Sequence, residues 1–197
     1  DKLIASGMPV RKAFYQASDK AQAKKALGIA PSQTHLLMMC GSMGCGPMEE
    51  LTQLLANLLP ASYDVSVACS NNEQLIRRMK RAFRKKPNIH ICGYIDNISA
   101  MMDSADLFLT KPGGISTSEA MVKGLPMVLV NVVGGCETPN LQFFVSHGGA
   151  ATAQTPEQIA ELCRQLLYDD ARRGAMHDAL VRMQGKPAAA AICDCLE

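Results

Sequence analysis

Residues 106–132 read DLFLTKPGGISTSEAMVKGLPMVLVNV. A four-residue apolar run (106–109) leaves through Pro112-Gly113-Gly114. A segment of helical period (116–124) then closes on Gly124, and a second apolar run follows at 126–132. Two short apolar runs joined by a helix make a unit of parallel sheet, because parallel neighbours need a crossover connection and a helix supplies it. The same alternation continues on both sides. Apolar runs HLLMMC (35–40), YDVSVAC (63–69), NIHIC (88–92) and GAAT (149–152) read as further strands. Between them, 48–59, 72–83, 98–104 and 138–147 carry helical periodicity. Ser18 is placed to cap a short helix through Leu27, stopped by Gly28. From Thr155 the chain turns helical: Pro156 in a first turn, a second helix to about Met183, and a last docking helix in GKPAAAAICDCLE. The pattern predicts one α/β domain built on a doubly wound, Rossmann-like parallel sheet covered on both faces.

Composition agrees with an ordinary globular core: 48% of the 197 residues are hydrophobic and 19% charged. A net charge of +2 calls for no acidic polymer, and no nucleic-acid partner is expected. Eight cysteines without a Cys-x-x-Cys pair suggest neither a zinc site nor a disulfide scaffold, and point to a reducing, cytoplasmic setting. No apolar run approaches the roughly 18–20 residues that span a bilayer. The chain opens on Asp1 without an initiating Met, as a piece of a longer protein would.

In a doubly wound sheet, ligands bind beyond the carboxyl ends of the strands where strand order reverses. Four loops there carry chemistry. GSMGCGP (41–47) is glycine-rich and opens a helix, but lacks both the Gly-Lys-Ser/Thr ending of a P-loop and the Gly-x-Gly-x-x-Gly spacing of a dinucleotide site. KPGGISTSEA (111–120) offers the unpaired amides and positive dipole end of a helix, hydroxyls at Ser116, Thr117 and Ser118, and a carboxylate one turn on at Glu119. Amides for a diphosphate and a carboxylate for vicinal ribose hydroxyls would suit a nucleoside diphosphate; a capped helix with dipole-complementing Glu119 is the plainer account. VVGGCETPN (132–140) adds Glu137 and Asn140, groups suited to sugar hydroxyls, and GYIDN (93–97) supplies backbone groups able to read a flat base.

Taken in order, Gly7-Met8-Pro9-Val10, CGSMGCGP (40–47), the continuous stretch 93–129, GCETPN (135–140) and FFVSHGGAA (143–151) resemble the C-terminal half of glycosyltransferase family 28. The pattern is most similar to monogalactosyldiacylglycerol synthases and processive diacylglycerol glucosyltransferases, and it spans about Gly7 to about Leu196. The resemblance implies a GT-B enzyme of two Rossmann-like domains, of which residues 1–12 are an interdomain linker remnant and 13–197 the UDP-sugar-binding domain. It implies that Gly93, Tyr94 and Ile95 hold uracil and that Glu119 holds the ribose. Ser42, Gly114, Ile115 and Ser116 would take the diphosphate, and Gly135, Cys136, Glu137 and Asn140 the sugar. No metal or cofactor is implied; UDP-sugar is the donor substrate. The implied reaction moves a hexose, with inversion, to a lipid acceptor such as diacylglycerol. Its general base would belong to the N-terminal acceptor domain that this chain lacks, so no catalytic residue is assigned and the chain alone is expected to be inactive. Where such relatives carry Pro-Gly-Gln-Glu, this chain has Gly134-Gly135-Cys136-Glu137. A thiol replaces an amide in the sugar pocket and leaves the identity of the sugar open.

Two other readings share this fold plan: half of a sugar-nucleotide epimerase, and a non-catalytic nucleotide-sugar-binding module. No Asp-x-Asp metal-binding pair occurs in the sequence, so the helix near Ile115 is the candidate for stabilising a leaving diphosphate. RRMKRAFRKK (77–86) packs seven cations into ten residues. With Ile76, Met79 and Phe83 facing inward, the cations form a solvated face or a contact for an anionic membrane surface, the latter placing the protein peripherally at the inner face of a membrane. His35, His90, His147 and His177 read as structural or surface residues.

Overall fold

The computed structural model describes residues 6–40, 47–130 and 137–195. Six strands form one parallel sheet: β1 (Thr34–Met39), β2 (Tyr63–Ala68), β3 (Ile89–Cys92), β4 (Leu107–Thr110), β5 (Met127–Leu129) and β6 (Ala150–Thr152). Their spatial order is β3-β2-β1-β4-β5-β6, the Rossmann order, which reverses between β1 and β4. The helices are α1 (Lys20–Ala26), α2 (Met48–Leu58), α3 (Glu73–Ala82), α4 (Ile98–Ser104), α5 (Gly114–Lys123), α6 (Glu137–Ser146), α7 (Pro156–Tyr168), α8 (Asp170–Met183) and α9 (Ala188–Cys193).

Strand side chains alternate between two apolar layers, which is why these runs read as continuous hydrophobic stretches rather than as apolar–polar alternation. Leu36, Met38, Val65, Val67, Leu107 and Leu109 face α2, α3 and α7, meeting Leu55, Met79 and Cys163. Leu37, Phe108, Met127 and Leu129 face the opposite way, against Met102 of α4, Ala120 of α5, Phe144 of α6 and Leu180 of α8. The α7 start carries a complete capping box, with Thr155 and Gln158 exchanging bonds and Pro156 in the first turn.

Several boundaries differ by a residue or two from the sequence reading, and three of the differences are informative. Asp19, not Ser18, caps α1: its Oδ1 accepts from Gln22 N at 2.9 Å, while Ser18 N donates to Asp103 Oδ2. An ionised side chain at the N-cap is the better acceptor, and it leaves the serine free to tether the segment elsewhere. α5 begins at Gly114, two residues before the hydroxyl cluster, and β5 ends at Leu129, although Val130 N still donates to Thr110 O at 2.8 Å. Residues 131 and 132 of the expected fifth strand lie outside the described residues.

At the amino ends of the strands, Asp106 gathers the first helix onto the sheet. Its Oδ2 accepts from His35 N (2.8 Å) and Lys24 Nζ (2.7 Å), and its Oδ1 from Lys20 Nζ (2.9 Å). Burial opposes its ionisation, but the hydrogen bonds from the two lysines outweigh that and lower its pKa. The side chains of Lys123 and Asp103, nearly inaccessible although the residues are only half-buried, tie α5 to α4 at 2.7 Å. α8 approaches the start of β6 so closely that a Cβ on Gly149 would lie 2.5 Å from Leu180 Cδ2 and 2.8 Å from Met183 Cε. Gly149→Ala is therefore expected to cost about 1–3 kcal/mol through overpacking. Chemical denaturation checks this; an unchanged midpoint would show that α8 does not pack so tightly there. Among the described residues no helix is long and apolar enough to cross a membrane.

Candidate functional site

Reversal of strand order between β1 and β4 opens a crevice at their carboxyl ends. A cleft of about 690 Å³ lies there, walled by Met39 at the end of β1, Ser70 after β2, the Gly93–Ile95 segment after β3 and the first turns of α5. The sequence makes each wall by ending a strand on a turn that cannot continue it.

The α5 turn is the most telling. Gly113 is the N-cap in extended conformation and provides no side-chain cap. The helical ladder starts with Thr117 N donating to Gly113 O at 3.1 Å, so the amides of Gly114, Ile115 and Ser116 precede it and have no intrahelical acceptor. Of the three hydroxyl residues, Ser116 lines the cleft. Thr117 is fully buried and turns its hydroxyl back to Gly113 O at 2.8 Å. A Cβ on Gly114 would lie 3.1 Å from Met8 Cε and 3.8 Å from Asn140 Nδ2, so the segment before the first helix and α6 both close in on this turn, and a larger residue would press on the Met8 side chain.

Glu119 follows Ile115 and Ser116 by one turn on the same face of α5, and all three line the cleft. It is 5% exposed, and Oε1 accepts from Arg11 Nη2 at 3.1 Å. Burial raises the Glu119 pKa; the Arg11 guanidinium works against that shift without cancelling it. Arg11 itself lies 5.0 Å over the ring of buried Phe14. Across the cleft, Tyr94 is 65% exposed, and Gly93 packs against Ile76 of α3 and the Ser70 carbonyl. Ser70 has φ 52°, a left-handed conformation uncommon outside glycine, where strained backbone tends to accompany a functional wall.

Six of the predicted residues thus share one cleft: Gly93, Tyr94, Ile95, Ile115, Ser116 and Glu119. Gly114 stands at its edge. Glu137 and Asn140 do not line it; they are fastened to the turn before α5. Lys111 Nζ meets Glu137 Oε1 at 2.5 Å, Asn140 Nδ2 donates to Pro112 O at 3.1 Å, and Glu137 Oε2 is buried with no hydrogen-bond partner among the described residues. Ser42, Gly135 and Cys136 lie outside the described residues. His147 rests on its own helix, its Nδ1 2.7 Å from Phe143 O. Among the described residues no cluster of three or more His, Cys, Asp or Glu side chains is arranged to hold a metal ion.

The sequence reading missed Arg11, Met8, Ser70 and Lys111. Lys111 was visible as the one cation in the KPGG loop; the Arg11–Glu119 contact joins residues 108 apart and leaves no local signature.

Several known proteins are similar to this chain in sequence or in fold. The chain is 29% identical over 167 residues to the processive diacylglycerol β-glucosyltransferase of Staphylococcus epidermidis, covering 84% of this chain and 42% of that protein. It is 28% identical over 174 residues to a probable chloroplastic monogalactosyldiacylglycerol synthase of Nicotiana tabacum, covering 83% of this chain and 32% of that one. The chain therefore spans less than half the length of these relatives. Among solved structures, WaaG, a glycosyltransferase involved in lipopolysaccharide biosynthesis, superposes with a TM-score of 0.73 at 19% identity, over 94% of this chain and 54% of its own. A putative UDP-N-acetylglucosamine 2-epimerase from Listeria monocytogenes gives 0.67 at 17%, over 95% and 48%, so the fold alone does not separate transferases from epimerases. The sequence does separate them: residues 35–189 match the glycosyltransferase family 28 C-terminal domain, and with the sheet order and the cleft at its reversal point this makes the chain a member of that family.

Proposed function

We propose that this chain is the donor-binding half of a hexosyltransferase that carries a sugar from UDP to a lipid hydroxyl such as that of diacylglycerol. The observation that carries the proposal is the α5 mouth. Three amides without helical acceptors, an N-cap without a side chain and a buried carboxylate one turn on converge in a cleft at the strand reversal. In this reading the amides of Gly114, Ile115 and Ser116 take diphosphate oxygens, with Ser116 adding a hydroxyl. Glu119 accepts from the ribose hydroxyls, and the backbone of Gly93, Tyr94 and Ile95 pairs with uracil. Glu137 and Asn140, held beside the α5 turn, face the sugar together with Gly135 and Cys136, and Ser42 joins the phosphate contacts.

Chemistry at the anomeric carbon requires charge on the departing diphosphate to be stabilised. A helix terminus offers at most about 2 kcal/mol per anion contact, against the roughly 8–23 kcal/mol by which enzymes lower barriers. Alignment of donor and acceptor, and a general base from outside these 197 residues, supply the rest of a single inverting displacement. Because a diacylglycerol acceptor resides in a bilayer, the whole enzyme works peripherally at a membrane surface.

Calorimetric titration with UDP, UDP-glucose, UDP-galactose and UDP-N-acetylglucosamine tests the reading. UDP is expected to bind, one UDP-hexose to bind at least as well, and the chain alone to form no glycolipid when given that donor and diacylglycerol. Failure of all four nucleotides to bind would end the proposal.

A further inference from the structure

We propose that the exposed face of α3 and the turn after it form a docking surface for anionic phospholipid, which holds the donor cleft next to the bilayer. The inference rests on the lipid-acceptor reading above and adds to it a named surface. Seven of the chain's twenty cations and none of its eighteen acids lie in residues 77–86, so the remainder of the chain carries a net charge of −5. This is a strongly polar distribution hidden in a small overall charge.

The fold sorts that segment by face. Leu75, Met79 and Phe83 are buried in the core, with Ile76 packed beside them. The cations therefore all point outward, as the exposure of every Lys and Arg from 77 to 86 shows. Arg77 is engaged by Glu73 at 3.2 Å, Arg78 by Glu49 at 2.5 Å, and Lys86 donates to Ala56 O at 2.9 Å. Lys80, Arg81, Arg84 and Lys85 have no carboxylate partner among the described residues. Like charges gathered on one helix and left uncompensated repel one another, a cost that an anionic surface reverses.

The chemistry of the face favours headgroups over nucleic acid. No aromatic side chain is exposed between residues 77 and 87, so nothing there can stack on a base, whereas lipid phosphates ask only for mobile point charges. The position also suits the function. Ile76 of α3 would touch a Cβ placed on Gly93 at 3.4 Å, so the helix directly backs the wall of the nucleotide cleft. Lys80 and Arg81 follow Ile76 by four and five residues along α3, about 6–8 Å of helical rise from that contact.

Co-sedimentation of the chain with vesicles of phosphatidylglycerol and phosphatidylcholine in equal parts tests the inference, with phosphatidylcholine alone and a single-stranded RNA as comparisons. The wild-type chain is expected to bind the anionic vesicles, not the neutral ones, and to release them as salt rises. Each cation near an anionic leaflet is worth about a fivefold factor in partitioning. Neutralising four, as K80Q/R81Q/R84Q/K85Q, should therefore lower it by several hundredfold, and K80E/R81E/R84E/K85E further, with the UDP affinity of both variants unchanged. No binding to anionic vesicles, equal binding by wild type and variants, or tighter binding to RNA would each overturn the proposal. Because UDP binding is read separately, a wild-type chain that binds UDP but not anionic vesicles rejects this surface alone, and absence of UDP binding in the wild type rejects the donor-binding reading.

Discussion

Glu119→Ala is expected to weaken UDP binding by about a hundredfold or more while leaving inorganic pyrophosphate as tightly bound as before. Two ribose hydroxyls donating to one ionised carboxylate form charge-assisted bonds, each worth about 1.5–3 kcal/mol net, and about 1.4 kcal/mol is tenfold in affinity. Pyrophosphate has no ribose and meets only the α5 amides. The Arg11 guanidinium, which now occupies Glu119 Oε1 at 3.1 Å, is released in the variant and is free to turn toward the phosphates, so pyrophosphate binding holds or improves. 2′-Deoxy-UDP supplies the cross-check: it should lose part of the wild-type affinity, and should lose less than UDP when Glu119 is removed. Acid should mimic the substitution. Burial raises the Glu119 pKa, so its acceptor capacity fades at a higher pH than for an ordinary glutamate. The wild-type advantage over Glu119→Gln should shrink as pH falls into the weakly acidic range. Parallel losses of UDP and pyrophosphate would place Glu119 in a structural role and remove the ribose contact from the site.

This division of labour along α5 was partly legible in the sequence, and the reason is local. The strand–turn–helix–strand pattern at 106–132 depends on neighbours within one turn or one strand, so β4, α5 and β5 follow from periodicity and from Gly113, Gly114 and Gly124. Burial on both faces erased apolar–polar alternation, and the continuous runs correctly announced a parallel sheet. The order of the strands was expected only as a class, but it fixes which loops meet. Contacts that cross the sheet were beyond reach. Arg11 lay in a segment read as linker, yet it meets Glu119; His90 showed no carboxylate nearby in sequence, yet its Nε2 lies 2.7 Å from Asp64 Oδ1 on the neighbouring strand. The helix-start hydroxyls illustrate a subtler limit: Ser116 and Thr117 look equivalent as letters, but the helix turns one toward the cleft and the other into its own backbone. Spacing places residues on faces; it does not say which hydrogen bond a hydroxyl prefers.

The same long-range character makes His35 an acid-sensitive element, and a loss of about 3 kcal/mol of stability is expected from it between pH 6.5 and pH 4. The ring is fully buried, with Nδ1 3.0 Å from Ser104 Oγ and Nε2 2.9 Å from Ser66 Oγ. Ser104 gives its own proton to Met101 O at 2.7 Å, so its oxygen accepts from His35 Nδ1–H; Nε2 then accepts from Ser66. That pattern satisfies a neutral ring completely. A second proton would face the Ser66 hydroxyl proton and leave a charge in the core. Burial accordingly lowers the His35 pKa to about 4, although nearby Asp106 and Asp64 favour the charged form and Lys24 opposes it. The unfolded chain binds this proton at the ordinary value near 6.5. The stabilisation is thus complete above pH 6.5 and is lost as pH falls toward the folded value, at about 1.36 kcal/mol per pKa unit. Glu119, whose pKa is raised, offsets part of the loss, while Asp106, whose pKa is lowered, adds to it, so the wild-type curve alone does not isolate the effect. The difference between wild type and His35→Leu in urea unfolding isolates it: their stability gap should narrow by about 3 kcal/mol from pH 7 to pH 4. Nuclear magnetic resonance of the His35 ring gives an independent reading, with no titration step expected near pH 6.5 in the folded chain. A ring that titrates there, or a gap independent of pH, would mean that the serine pair does not hold the imidazole neutral.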